Sequence, residues 1–159
     1  MHKRTIAQPL GAMQKVESHM SQKSLMFLFT FFFIFTFSVQ AQVLEELTDI
    51  DKKYKACLDK GTNMLDCARV YYSHMDSLLN VAYNKLRKPL NQTGKVALKN
   101  EQIKWLGKRD AYFKKIDKEY AAENSNGFAG NDSKMIAIDE KARFVRKRVE
   151  ELIKKLGNS

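Results

Sequence analysis

The chain has 159 residues, which suits one domain preceded by a leader. It carries 28 basic and 18 acidic residues, a formal net charge of +10, and charges of both signs are interspersed along it. This balance favours anionic partners, while the lack of any two-residue alternation or long repeat argues against a β-sheet or solenoid protein.

The amino-terminal segment has the pattern of a secretory signal peptide. Lys23 precedes an uncharged, phenylalanine-rich run over residues 25–39, and Val39-Gln40-Ala41 places small residues at positions −3 and −1 of a cleavage site. The run is short for a membrane span of about 20 residues. We therefore predict a signal peptide at residues 1–41 and a mature chain at residues 42–159. The alternative is an uncleaved anchor, in which case this segment alone contacts the membrane, and Met20 is an alternative start.

Export determines the expected location and partners of the mature chain. We expect the protein in the periplasm or outside the cell. Removal of residues 1–41 takes away four basic residues and one acidic residue, which leaves 24 basic and 17 acidic residues and a net charge of +7. Acidic proteins, anionic lipid and envelope polymers are candidate partners. Nucleic acid is not expected, because the protein leaves the cytoplasm.

The only two cysteines, Cys57 and Cys67, both lie in the mature chain. In an oxidising compartment we expect them to form a disulfide between the facing ends of two helices. The alternative is a metal site completed by His74, the one mature histidine, but two sulfurs and one distant imidazole make a poor ligand set.

Apolar residues at alternating steps of three and four predict four helices in the mature chain. The expected bounds are residues 43–58, a second helix that follows Gly61 with Asn63 as its cap, residues 96–123, and residues 133–156. Residues 91–94 are expected to form the second turn, and residues 124–132 a loop in which Phe128 either tucks back or marks a contact site. The seam of the third helix, meaning the line of residues that faces the rest of the bundle, is predicted at Ile103, Leu106, Asp110, Phe113, Asp117 and Tyr120. The fold class is therefore all-α, an antiparallel bundle of about four helices with one helix–helix disulfide.

Polar residues recur on the second and third predicted helices at helical spacing. Asp76, Asn80 and Tyr83 share one face, and the other face carries Gln102, Trp105 and Arg109, with Asp110 beside them. An antiparallel hairpin would bring Asp76 level with Arg109. We predict a partly buried ion pair between them within a polar cluster that stabilises the helix pair.

A second pattern of charge lies on the fourth predicted helix, where basic residues recur every seven positions at Lys134, Lys141, Arg148 and Lys155. Such a flank is either solvated, with its aliphatic stems covering apolar surface, or a stripe that binds an anionic partner.

Residues 57–113 resemble the LprI-type, lysozyme-inhibitor-like family of exported helical modules. The similarity rests on Cys57 and Cys67, on the motif Asp76-x-x-Leu79-Asn80-x-x-Tyr83, and on the motif Gln102-x-x-Trp105-x-x-x-Arg109-Asp110-Ala111. Members commonly carry a further cysteine pair, of which the first is replaced here by Phe113. The resemblance implies an exported helical domain and, more weakly, inhibition of lysozyme.

Two functions follow from these observations, and neither is enzymatic. One is a lysozyme inhibitor that plugs the enzyme's acidic cleft through Lys88, Lys95 or the 124–132 loop. The other is an envelope module that binds an anionic polymer or a partner protein through a basic helix face. We predict no catalytic residue, metal or cofactor, because His74 lacks a nucleophile partner and no catalytic motif is present.

Overall fold

The computed structural model describes residues 22–125 and 130–158 and contains four helices. They are α1 (Gln22–Leu58), α2 (Met64–Arg87), α3 (Gln92–Ser125) and α4 (Asn131–Gly157). No strand occurs in this part of the chain, so the predicted all-α, four-helix class is confirmed. The predictions for Met20 and Phe128 lie outside the described residues.

Helix α1 is longer than the sequence pattern predicted. It begins at Gln22 instead of near residue 43 and continues without a break to Leu58. No proline or glycine interrupts these 37 residues, so nothing local ends the helix between the apolar run and the bundle. The predicted core positions Val43, Leu47 and Ile50 are buried. Within the described residues, no helix has the length and apolarity needed to cross a bilayer.

The turns differ in detail from the prediction. Asn63 precedes α2 but does not cap it with its side chain, because its backbone is left-handed (φ 53°, ψ 32°) instead of extended as a cap requires. Asn91 acts as a cap that the sequence analysis missed. Its Oδ1 accepts a hydrogen bond of 2.8 Å from the backbone N–H of Gly94. Helix α3 therefore starts at Gln92, inside the segment predicted to be a turn.

Helix α4 is the centre of the bundle. It packs most extensively on α2 and also contacts both α1 and α3. Among the residues that the structure describes, α2 and α3 touch each other little and α1 does not contact α3. The apolar residues of α4, which recur at steps of three and four, are buried from the middle of the helix onward, at Ala142, Val145, Val149, Leu152 and Leu156. On α2 the matching residues are Ala68, Tyr71, Met75, Leu78, Leu79, Ala82 and Leu86. The core thus lies mainly between α2 and α4, with α1 covering one side.

The seam predicted for α3 is only partly correct: Leu106 and Phe113 are half-buried against the core, but other positions are not. Ile103 is 54% exposed, and Asp110 and Asp117 point to solvent. The buried positions are Leu98, Trp105 and Ile116, which are spaced by seven and eleven residues, close to two and three helical turns. A stripe this narrow suffices because α3 packs chiefly against α4 and leaves its flank toward α2 open.

Candidate functional site

The disulfide predicted between α1 and α2 is present. The sulfur atoms of Cys57 and Cys67 lie 2.01 Å apart and the Cα atoms 5.8 Å apart. Because both cysteines are joined in this bond, they are not available for the alternative metal site with His74. Across the part of the chain that the structure describes, no three His, Cys, Asp or Glu side chains come together as metal ligands would.

A polar network that the sequence analysis missed fastens α1 to α2 and α4. Asp51 accepts a hydrogen bond of 2.8 Å from the hydroxyl of Tyr71 and is bridged by the guanidinium of Arg146, with the shortest N–O distance also 2.8 Å. One turn on, the hydroxyl of Tyr54 donates to Asp139, and burial together with this bond raises the pKa of Tyr54 to about 12. The rings of Tyr54 and Tyr71 stack 4.1 Å apart. This half-buried network is structural, and its only sequence signal is the spacing of Asp51 and Tyr54 on one helix face.

The polar cluster predicted between α2 and α3 lines an open cleft instead of a closed helix contact. Asp76, Asn80 and Tyr83 form one wall, and Lys99, Gln102 and Arg109 form the other, over a volume of about 330 Å³. The apolar side chains of Leu79, Ile103 and Leu106 lie between these walls. The structure therefore brings five of the seven predicted cluster residues to one surface, and adds Lys99.

The predicted ion pair between Asp76 and Arg109 does not form. Arg109 binds its neighbour Asp110 instead, through Nε at 2.9 Å and Nη2 at 2.7 Å, and its guanidinium lies 5.8 Å from the ring centroids of Trp105 and Phe113. Equal distance from the turn placed Asp76 and Arg109 around the same cleft, but the guanidinium is held by Asp110 and by the rings of Trp105 and Phe113 instead of by Asp76.

Trp105 and Arg148 form the boundary between the cleft and the core. Trp105 is buried toward α4, where Arg148 lies 5.8 Å from its ring centroid. Arg148 is only 4% exposed, and it donates to the Oε1 of Gln102 at 3.1 and 3.2 Å. It also pairs with Glu101 at 3.0 Å and Glu151 at 2.9 Å. Burial disfavours the charged form of Glu101, but the hydrogen bonds from Lys155 and Arg148 outweigh it and hold the pKa of Glu101 below its ordinary value.

The predicted cationic stripe of α4 faces α3 at three of its four positions. Lys141 pairs with Asp117, Arg148 with Glu101, and Lys155 also with Glu101. Lys134 alone is exposed without an acidic partner among the described residues. The charges of the stripe are therefore balanced mostly by intramolecular acids.

A different basic surface lies at the end of the molecule where α2 joins α3. Residues 77–100 contain five basic residues and no acidic one. We call Arg87, Lys88, Lys95 and Lys154 the basic tip; the carboxyl end of α4 brings Lys154 to this end, since Leu86, Leu90 and Lys155 line one cavity. None of the four forms an ion pair within the described chain; Lys95 is half-buried and the other three are exposed.

Comparison with known proteins identifies the family. Searches of curated proteins and of solved structures returned no match. The sequence profile described as "Lysozyme inhibitor LprI" matches residues 55–152, which include both cysteines, both walls of the cleft and every residue of the basic tip except Lys154. Because the match spans more than half of the chain, the protein belongs to the LprI lysozyme inhibitor family.

Proposed function

We propose that the protein is an exported inhibitor of lysozyme that acts by inserting its basic tip into the enzyme's cleft. The family supports the activity. The observation that carries the mode of action is the acid-free span of residues 77–100 at the connection between α2 and α3. Lysozyme hydrolyses glycosidic bonds with two carboxyl groups in an open cleft, and Lys88 and Lys95 present complementary charge.

Long-range electrostatics limits the encounter of this inhibitor with a basic lysozyme. Two proteins of the same charge repel each other beyond the contact zone, which slows association. Added salt screens that repulsion, whose range is about 10 Å at 0.1 M ionic strength. Inhibition of a basic lysozyme should therefore strengthen from low to moderate salt.

The test is clearance of cell-wall suspensions by lysozymes of several types in the presence of the exported protein. We expect slower clearance, and a loss of inhibition of at least about tenfold in Lys88→Glu/Lys95→Glu, because each reversed charge would meet a carboxylate. The matched control is Lys60→Glu/Lys118→Glu, which makes the same change of net charge at exposed positions away from the tip. Equal inhibition by both double variants would reject the tip as the contact.

The second candidate function is binding of an anionic envelope polymer, and the same observation favours it. The stripe on α4 is already paired with acids, so the basic tip is the better surface for such a polymer. Retention of the protein on immobilised polyphosphate, lost in Lys88→Glu/Lys95→Glu and accompanied by no effect on any lysozyme, would establish this function in place of inhibition.

A further inference from the structure

The cleft between α2 and α3 contains polar groups that the fold does not use. The carboxylate of Asp76 and the hydroxyl of Tyr83 make no hydrogen bond to any described residue, although both side chains are half-buried. Asn80 uses only its amide nitrogen, which donates a hydrogen bond of 2.9 Å to the backbone carbonyl of Asp76. These atoms are open to solvent in the cleft, whereas the polar groups around Asp51 bind one another.

The α3 wall is similarly incomplete. Gln102 uses its carbonyl oxygen for Arg148 and leaves its amide nitrogen available. Arg109 uses Nε and Nη2 for Asp110 and leaves Nη1, and Lys99 is exposed without an ion pair to the described chain. Both helices therefore place unused hydrogen-bonding groups around the cleft, and neither helix provides partners for them.

The two walls carry opposite charge. The α2 wall presents a carboxylate at Asp76 and acceptor oxygens at Asn80 and Tyr83, whereas the α3 wall presents the cations Lys99 and Arg109. Leu79, Ile103 and Leu106 supply apolar surface between them. A ligand that matches this pattern carries a cation and an anion a few bonds apart with a small apolar portion, and a volume of about 330 Å³ has room for one or two amino-acid residues.

We propose that the α2–α3 cleft binds a free amino acid or a short peptide through its two charged ends. The ammonium group binds Asp76. The carboxylate of a free amino acid binds the remaining Nη1 of Arg109, and that of an extended dipeptide reaches Lys99, which lies farther along α3. Asn80 and Gln102 contact the peptide group between them. This site is separate from the basic tip, so it operates whether or not the protein inhibits lysozyme.

The test is a titration of the isotopically labelled exported protein with alanyl-alanine, in both the L and the D forms, followed by amide chemical shifts. We expect saturable shifts at residues 76–83 and 99–109. The same dipeptide with an acetylated amino end and an amidated carboxyl end should bind at least about tenfold more weakly, because it lacks both charges.

Variants separate a binding role from a structural one. Asp76→Asn and Lys99→Gln should each weaken binding of the zwitterionic dipeptide by about tenfold, the value of one charge-assisted hydrogen bond. Both should keep the wild-type melting temperature, since neither side chain has a partner in the fold. Glu123→Gln and Lys118→Gln, at exposed positions outside the cleft, serve as matched controls and should bind normally.

Three results would overturn the proposal. Equal affinity for the blocked and the free dipeptide would show that the charged walls do not select the ligand. Binding of a chito-oligosaccharide in the cleft without binding of either dipeptide would assign the site to a glycan. Shifts scattered over the surface, or none at all, would show that the cleft is a packing defect between α2 and α3.

Discussion

At the scale of single residues, Arg148 is the one charged side chain that is buried in the described part of the chain. Its guanidinium is satisfied by Gln102, Glu101 and Glu151, while the two glutamates remain 41% and 47% exposed. The desolvation cost therefore falls on the cation. Removing its carboxylates strands a buried charge, whereas removing the arginine leaves acids that water can solvate.

We accordingly predict an asymmetry between the two sides of this ion-pair group. Glu101→Gln/Glu151→Gln should lower the free energy of unfolding by about 2–4 kcal/mol, because Arg148 stays charged with Gln102 as its main partner. Arg148→Met, which keeps most of the buried volume, should cost about 1 kcal/mol or less. Urea denaturation of both variants measures the difference. A larger loss in Arg148→Met would mean that packing on Trp105, and not charge, holds this position.

At the scale of elements, the disulfide and the α2–α4 core fix different parts of the bundle. Cys57 and Cys67 join the end of α1 to the start of α2, whereas the core residues Met75 and Val145 are fully buried farther along. The bond thus restrains the α1–α2 connection, and the apolar contacts of α4 hold the remaining length of α2.

Replacement of both cysteines should therefore weaken the protein without abolishing its fold. For Cys57→Ser/Cys67→Ser we expect a loss of about 2–3 kcal/mol, the chain-entropy value for so small a loop. The helical circular dichroism signal should persist at 25 °C. Free thiols in the freshly purified native protein would contradict the disulfide, and loss of the helical signal in the serine variant would show that α1 needs the bond to fold.

The basic residues of α4 show why a charge pattern along one helix does not by itself identify a binding surface. Spacing of seven on α4 places Lys141, Arg148 and Lys155 on one flank, as predicted. Only the packed structure reveals that α3 lies on that flank and supplies Asp117 and Glu101. Basic residues without an ion pair in the described chain include those of the basic tip, where two helix ends meet.

At the scale of the whole molecule, the position of the predicted leader on α1 bears on processing. The helix runs from the apolar segment directly into the bundle, and Val43 is its first buried residue among those whose burial the structure describes, from residue 39 onward. A cut after Ala41 would remove Val39, which packs only partly against the core, and would spare the buried residues Val43, Leu47 and Ile50.

We therefore expect the exported protein to begin at Gln42 and to keep its core. Amino-terminal sequencing of protein recovered from the periplasm or the medium measures this. We also expect the melting temperature not to depend on the leader. The comparison is between the processed protein and an Ala41→Trp variant that resists cleavage. Recovery of the intact chain in the membrane fraction would support the anchor instead.

The sequence by itself determined the helical class, the number of helices in the bundle, the disulfide and the seams of α2 and α4, because these depend on local periodicity and on a loop of ten residues. It also identified Asp76, Asn80, Tyr83, Gln102 and Arg109 as a group. Only the tertiary structure decided what that group does. The packing of α3 chiefly against α4, with little contact to α2, is a non-local choice. It left an open cleft where an ion pair was expected and turned an expected cationic stripe into intramolecular salt bridges.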